Sequence, residues 1–302
     1  DKTYAKYLSD FVVLKNTTLY SKWTKNTKSY TITFDTRGGS PGIEPITGQC
    51  FSTVTLPSEV TKASCRLVFW ENGYREAVAW NFTIPAYDVT IYAVWGCSTI
   101  NTAEDLIQLS KAVNSGMNFL GTTISLNNDI DFSGELSRQF APIGCTNDFV
   151  GTFDGQGYVV KNLNLTLHDV QYAGLFFHSR GAIIRNVIMD KTCEIQSTYF
   201  SHNGAAYVNA IIGSCKTEVS ACAIENTVNV ARVLFAGEVK NGYTYVGGLA
   251  GYFSGSKYEW SLRICANYGE VAQVGMAGRM SLGDSGVWLW LRTKKTAPSR
   301  TA

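Results

Sequence analysis

Apolar and polar positions alternate strictly in one early segment: Tyr30, Ile32 and Phe34 are separated by Thr31, Thr33 and Asp35. This is the two-residue period of a half-buried strand. The turn Arg37-Gly38-Gly39 comes next, then a strand over Ser52-Thr53-Val54-Thr55-Leu56-Pro57, and the segment closes on Thr90-Ile91-Tyr92-Ala93-Val94-Trp95. The closing phrase has an earlier copy, Thr18-Leu19-Tyr20-Ser21-Lys22-Trp23, displaced by 72 residues. Each copy is preceded by a polar turn and an aromatic-containing strand, Phe11 to Leu14 and Trp80 to Ile84. Self-similarity at a fixed displacement marks a repeat architecture. Residues 27–97 read as one complete repeat and residues 1–26 as the back half of a preceding copy, so the chain is expected to begin inside a domain.

The period changes once. Residues 99–116 read as a helix: Thr102 can cap it, Glu104 and Asp105 suit its positive end, Leu106, Leu109 and Val113 form one stripe, and Gly116 can stop it. This helix is expected to cover the open end of the region C-terminal to it. Short strands with glycine turns recur in that region. Gly174-Leu175-Phe176, Ala210-Ile211-Ile212-Gly213 and Gly248-Leu249-Ala250-Gly251 align, with a fourth start at Val274-Gly275-Met276-Ala277-Gly278. Ile184-Arg185-Asn186, Ile224-Glu225-Asn226 and Cys265-Ala266-Asn267 also align. Such a period predicts stacked coils, each burying its apolar face against its neighbours. Ile184, Ile224 and Cys265 then point inward. Asn186, Asn226 and Asn267 either form a hydrogen-bonded ladder or are turn residues with left-handed backbone. The predicted fold is mainly β: small β modules, one capping helix, a coil region over 98–286, and a non-repeat tail over 287–302 carrying Trp288 and Trp290.

Two families resemble these segments. Residues 30–95 resemble the Listeria–Bacteroides repeat, also called the internalin-type B repeat. The likeness rests on the strand ending Phe34-Asp35, Gly38-Gly39, the Thr53 to Pro57 strand, Trp70, and the closing Ile91-Tyr92-x-x-Trp95. The family has Gly-Tyr and Gly where this chain has Ser64-Cys65 and Phe69. The resemblance implies a β-grasp-like module, found in tandem on secreted and wall-attached proteins, with Trp23, Trp70, Trp95, Gly38 and Gly39 as structural residues. Residues 99–280 resemble the GLUG-motif family of right-handed parallel β-helices. Here the likeness rests on Asn128-Asp129-Ile130-Asp131, Pro142-Ile143-Gly144, Phe149-x-Gly151-x-Phe153-Asp154-Gly155-x-Gly157, Tyr245 to Gly251, and Cys265-x-Asn267-x-Gly269-x-Val271. In the middle coil the pattern lapses, with Asn209 and Ala210 where glycines are expected.

Composition narrows the class. The hydrophobic fraction of 45% with 17% charged residues is that of a globular chain. The net charge is +2, and Arg292, Lys294, Lys295 and Arg300 gather at one end. No basic face or nucleic-acid motif accompanies them, which disfavours a nucleic-acid partner. No apolar run approaches the ~20 residues that span a bilayer, and the polar stretch Asp1 to Tyr7 leads into no signal-peptide core. Asn16, Asn81 and Asn164 open glycosylation sequons. Eight cysteines without C-x-x-C spacing, and three histidines, argue against zinc. A Cys50–Cys65 bridge would close a short loop in the module; the alternative is two buried thiols. Cys265 and Cys222 read as core residues.

Asp129, Asp131 and Asp154 are the candidates for a cation site or a glycan-cleaving carboxylate pair. The competing reading is turn formation through side-chain to backbone hydrogen bonds, and it is favoured. Gly155-Gln156-Gly157 lacks the Lys-Ser/Thr of a phosphate loop. His168, His178 and His202 do not make a zinc helix. No catalytic residue, cofactor or metal is therefore assigned. The expected role is a non-catalytic, extracellular cell-surface region, a spacer leading into an adhesive β-helix, binding a glycan or protein on a host or neighbouring cell. The alternatives are a β-helical glycan-cleaving protein, for which Asp154 with Lys161 is the nearest pair, the region upstream of a surface metallopeptidase, and a ligand-free stalk.

Overall fold

A computed structural model describes residues 26–255, 258–273 and 280–282. The half-repeat with Trp23, the repeat start at 274–278 and the tail at 287–302, all expected from the sequence, lie outside the described residues. The chain is mainly β, with 28 strands and two helices among the described residues.

The first region uses seven strands: β1 (Ser29–Asp35), β2 (Ile46–Gln49), β3 (Thr53–Thr55), β4 (Cys65–Glu71), β5 (Ala77–Val78), β6 (Asn81–Thr83) and β7 (Val89–Cys97). Five of them form one sheet in the order β2-β1-β7-β4-β5, while β3 pairs with β6. The β1–β7 pairing is parallel and the others are antiparallel. Alternation in β1 buries Ile32 and Phe34 and leaves Thr33 and Asp35 exposed. Phe34 meets Trp70 edge-on at 5.4 Å, and Trp70, Ile84, Ile91 and Trp95 complete the core. Both buried indoles are satisfied, Trp70 Nε1 donating to Pro57 O at 2.8 Å and Trp95 Nε1 to Thr36 O at 2.9 Å. Gly38 turns the chain with φ +84, and a Cβ on Gly39 would lie 2.6 Å from both Trp95 and Val60. That contact is far inside van der Waals range, so only glycine fits against the indole.

One residue, Ser98, separates β7 from the next strand, Thr99–Ile100. That strand pairs in parallel with Thr123–Leu126, so the helix begins later than position 99. It runs over Ala103–Asn114, here α1, capped by a reciprocal pair between Thr102 and Asp105. Leu106, Leu109 and Val113 share a core with Ile100, Ile124 and Phe149. A second, four-residue helix spans Leu136–Gln139; the sequence carries no periodic signal for so short an element.

Beyond α1, each pass of the chain lays strands in parallel on the previous pass. One sheet holds Thr99–Ile100, Thr123–Leu126, Phe149–Asp154, Phe176–Arg185, Ile212–Lys216 and Ala250–Ser254 in that spatial order, while Cys222–Glu225 branches from the second half of Phe176–Arg185 and Trp260–Arg263 pairs with that branch. Three further parallel sheets stack in step with it. Inward positions form apolar columns: Ile124, Phe153, Ile184 and Ile224 are paired in register and buried. The next member is Leu262, not Cys265. The reason is spacing: the 226–264 pass is shorter than the alignment on Cys265 requires, so Ile264 takes the place after Asn226, and Cys265 lies just beyond it, half-buried and packed against the core one column over.

The cysteine pairing also differs from expectation. Cys65 lies directly opposite Cys97 across β4 and β7, with Cα atoms 4.0 Å apart, and the two are bonded. Cys50 is a buried thiol whose Sγ donates to Asn26 O at 3.0 Å, so no Cys50–Cys65 bridge forms. Cys222, expected as a plain core residue, is buried and bonded to Cys215.

Candidate binding face

Asp129 and Asp131 flank the buried Ile130 on the short strand Ile130–Asp131. Asp129 Oδ1 accepts from Val159 N at 3.0 Å and Oδ2 pairs with Lys161 Nζ at 2.6 Å. The Lys161 hydrogen bond holds this carboxyl below the usual range. Asp131 Oδ1 accepts from Asn162 Nδ2 at 2.7 Å and from Ser133 N at 2.9 Å, with the same depressing effect. Asp154 is buried in a different sheet, at the end of Phe149–Asp154. Burial pushes its carboxyl up, but donors from Asn186, Gln156 and Arg185 outweigh this, and the net shift is downward. Lys161 therefore pairs with Asp129, and Arg185 is the cation beside Asp154. Gly155 and Gly157 close the turn after Asp154 by donating to Arg185 O and Asn186 O on the next pass.

The asparagine column is split. Asn226 Nδ2 donates to Asn186 Oδ1, and Asn186 Nδ2 to Asp154 Oδ1, each at 2.8 Å. Both asparagines have positive φ, so ladder and left-handed turn coexist. Asn267 instead stacks on Asn229, whose Nδ2 donates to Asn267 Oδ1 at 2.8 Å. Charges alternate across passes in the same manner. Arg232 joins Glu194 and Glu270, Arg180 joins Asp148 and Glu218, and Arg185 lies in register between Asp154 and Glu225. Such columns penalise a slipped register, because a one-residue shift would turn each charge away from its partners and expose the apolar side.

A column of tyrosines is not read as a column from the sequence, although Tyr245 opens one of its motifs. Tyr172, Tyr207 and Tyr245 pair in register on one sheet, their rings stacked at 5.0 Å with interplanar angles of 8° and 1°. Tyr252, from the adjacent sheet, packs on Tyr207 at 5.2 Å, and Tyr243 lies beside Tyr245 and is exposed. At the other end Phe177 and His178 meet Tyr172 edge-on. His178 Nδ1 is hydrogen-bonded to Asp148, which also pairs with Arg180 Nε at 2.6 Å. The signal that could have revealed the column is the tyrosine preceding each glycine-rich phrase, Tyr172-Ala173-Gly174 and Tyr245-Val246-Gly247. Asn209 stands beneath this face, buried between Gly247 and Gly251; a Cβ on Gly251 would lie 2.4 Å from its Nδ2. The glycines of one pass thus make room for the asparagine of the pass before, which accounts for the lapse at Asn209.

The arrangement offers aromatic surface with flanking charges. No cluster of three or more His, Cys, Asp or Glu able to hold a metal occurs among the described residues. No helix among them is long and apolar enough to cross a membrane. Residues 30–94 match the model of the Listeria-Bacteroides repeat domain. No curated protein matches the chain. A solved structure from Bacteroides ovatus, described as a "putative immunoglobulin A1 protease", is 20% identical, with a TM-score of 0.39 over 58% of this chain and 57% of that one. The match thus spans little more than half of that protein's length.

Proposed function

We propose that this chain is a non-catalytic region of an extracellular surface protein. In this reading the repeat module is a spacer, and the region from Ser98 onward is a right-handed parallel β-helix of the GLUG kind. Its tyrosine-lined face binds a glycan or protein on a neighbouring cell. The observation that carries the reading is a Listeria-Bacteroides repeat running, after a single residue, into parallel strands stacked pass on pass. Two disulfides fit an oxidising compartment. The non-catalytic part is supported by the hydrogen bonds that engage Asp129, Asp131 and Asp154 within the fold.

The test is a glycan-array screen of the full chain, with hydrolase and lyase assays on the same glycans. Binding without turnover is expected, weakened about tenfold, the equivalent of about 1.4 kcal/mol, by Tyr207→Ala with Tyr245→Ala. Turnover that disappears in Asp154→Asn overturns the proposal in favour of an enzyme. Absence of both overturns the binding role and leaves a stalk.

A further inference from the structure

The first and last strands of the repeat module are neighbours and run parallel. Ile32, Thr33, Phe34 and Asp35 of β1 face Val89, Thr90, Ile91 and Tyr92 of β7 in register. Tension along the chain enters at the start of β1 and leaves at the end of β7. Because the strands are parallel, those two points lie at opposite ends of the pair, so the pull is a shear. A shear loads every hydrogen bond of the ladder together, whereas a pull from one end breaks them singly.

Side chains reinforce this ladder at both ends. Thr31 N donates to Asp88 Oδ1 at 2.8 Å just before it. Just after it, Trp95 Nε1 holds Thr36 O, and Arg37 Nη1 donates to Ala93 O at 3.2 Å while its guanidinium lies over the Tyr92 ring. Arg37 also pairs with the buried Glu71 of β4 at 2.9 Å, and Lys111 of α1 takes the other Glu71 oxygen. At the exit, Cys97 is bonded to Cys65, and Trp95 N donates to Gln108 Oε1 of α1 at 2.8 Å. The load leaving β7 therefore passes into β4 and α1 as well as through Ser98.

We propose that the repeat module is a force-bearing clamp, joined rigidly through α1 to the stacked region, and not a pliant spacer. This goes beyond the binding role and does not depend on the ligand. The clamp lies in the β1–β7 ladder, and the Cys65–Cys97 bond limits how much chain is released once the ladder breaks.

The test is single-molecule force spectroscopy on the full chain, since forced unfolding reads the unfolding barrier directly. Held by peptide tags at its two termini, the module is expected to rupture at a force several-fold higher than when held at the N-terminus and at Phe51. The second geometry, made with an azide-bearing phenylalanine at exposed Phe51, peels β1 and β2 from one end, because Ser29 faces Gln49. Reduction is expected to lengthen the module's step by about 110 Å, from the 32 residues between the cysteines at ~3.5 Å each, at nearly unchanged rupture force. Asp88→Ala is expected to lower the end-to-end rupture force alone. Equal rupture forces in the two geometries, or a step that reduction leaves unchanged, would overturn the clamp. Neither result bears on glycan binding, so the two proposals fail separately.

Discussion

The module and the stacked region solve one problem, covering apolar strands, in opposite ways. In the module, β1 and β7 come from opposite ends of the segment yet sit side by side, and the Trp70–Phe34 contact joins distant elements. Its pairings therefore depend on one another across the whole segment. In the stacked region each strand pairs only with the pass before and the pass after, and columns such as Ile124-Phe153-Ile184-Ile224 grow one member at a time. Pairing of that kind predicts a stability built up locally, pass by pass. The module should respond to damage as a whole, the stack near the lesion.

The sharpest way to break that contrast is a pair of core truncations. Trp70→Ala and Phe176→Ala each remove a fully buried aromatic ring, at a cost of about 3–5 kcal/mol. Hydrogen exchange should rise across all of β1 to β7 in Trp70→Ala. In Phe176→Ala, which loses contacts to Phe149 and Phe153, it should rise in the adjoining passes and leave the module protected. A global response to Phe176→Ala would mean that the chain folds as one unit.

The same contrast explains what could be seen in the sequence. Alternation at Tyr30, Ile32 and Phe34, the cap at Thr102 and the Phe176-Ile212-Ala250 register are local or periodic features, and strand pairing obeys them. The bond between Cys65 and Cys97 depends on which strands of the module are neighbours, which no spacing reports. The Asn267 misalignment has a different cause. Passes differ in length, with cross-pass contacts separated by 30, 38 or 40 residues, so a fixed period slides a motif from one column to the next. Glu71 was invisible for the reason that it matters: a single buried carboxylate takes its partners from β1's turn and α1.

Acid offers a second, smaller probe, and it should act on the stack. Asp129, Asp131, Asp154 and Asp190 all carry carboxyls held below their ordinary range, and all lie beyond α1. A carboxyl depressed in the folded state stabilises it above the unfolded pKa of about 3.9. That contribution disappears as pH falls through the folded value. Melting temperature should thus decline from about pH 5 downward. Of the four, only Asp154 is buried, so Asp154→Asn should flatten this decline most, while costing about 1–2 kcal/mol at neutral pH through the lost charge-assisted bond to Arg185. An unchanged slope in Asp154→Asn would show that its ladder does not set the acid response.

The smallest effect tests whether the ladder is modular. Asn186, Asn226 and Ile264 hold equivalent places on three successive passes, all with left-handed backbone, at φ of 55°, 44° and 53°. Asparagine tolerates that conformation, whereas a β-branched side chain crowds the next carbonyl. Ile264 is also 85% exposed and so gains little from burial. Ile264→Asn should relieve the strain, extend the Asp154-Asn186-Asn226 hydrogen bonds by one rung, and stabilise the chain by about 1 kcal/mol. The gain should appear as slower hydrogen exchange in the strands around Cys222–Glu225 and Trp260–Arg263, with the module unaffected. A loss of stability in Ile264→Asn would mean that the exposed isoleucine is covered by apolar surface in the folded chain, and that the last described passes are not simple copies of the earlier ones.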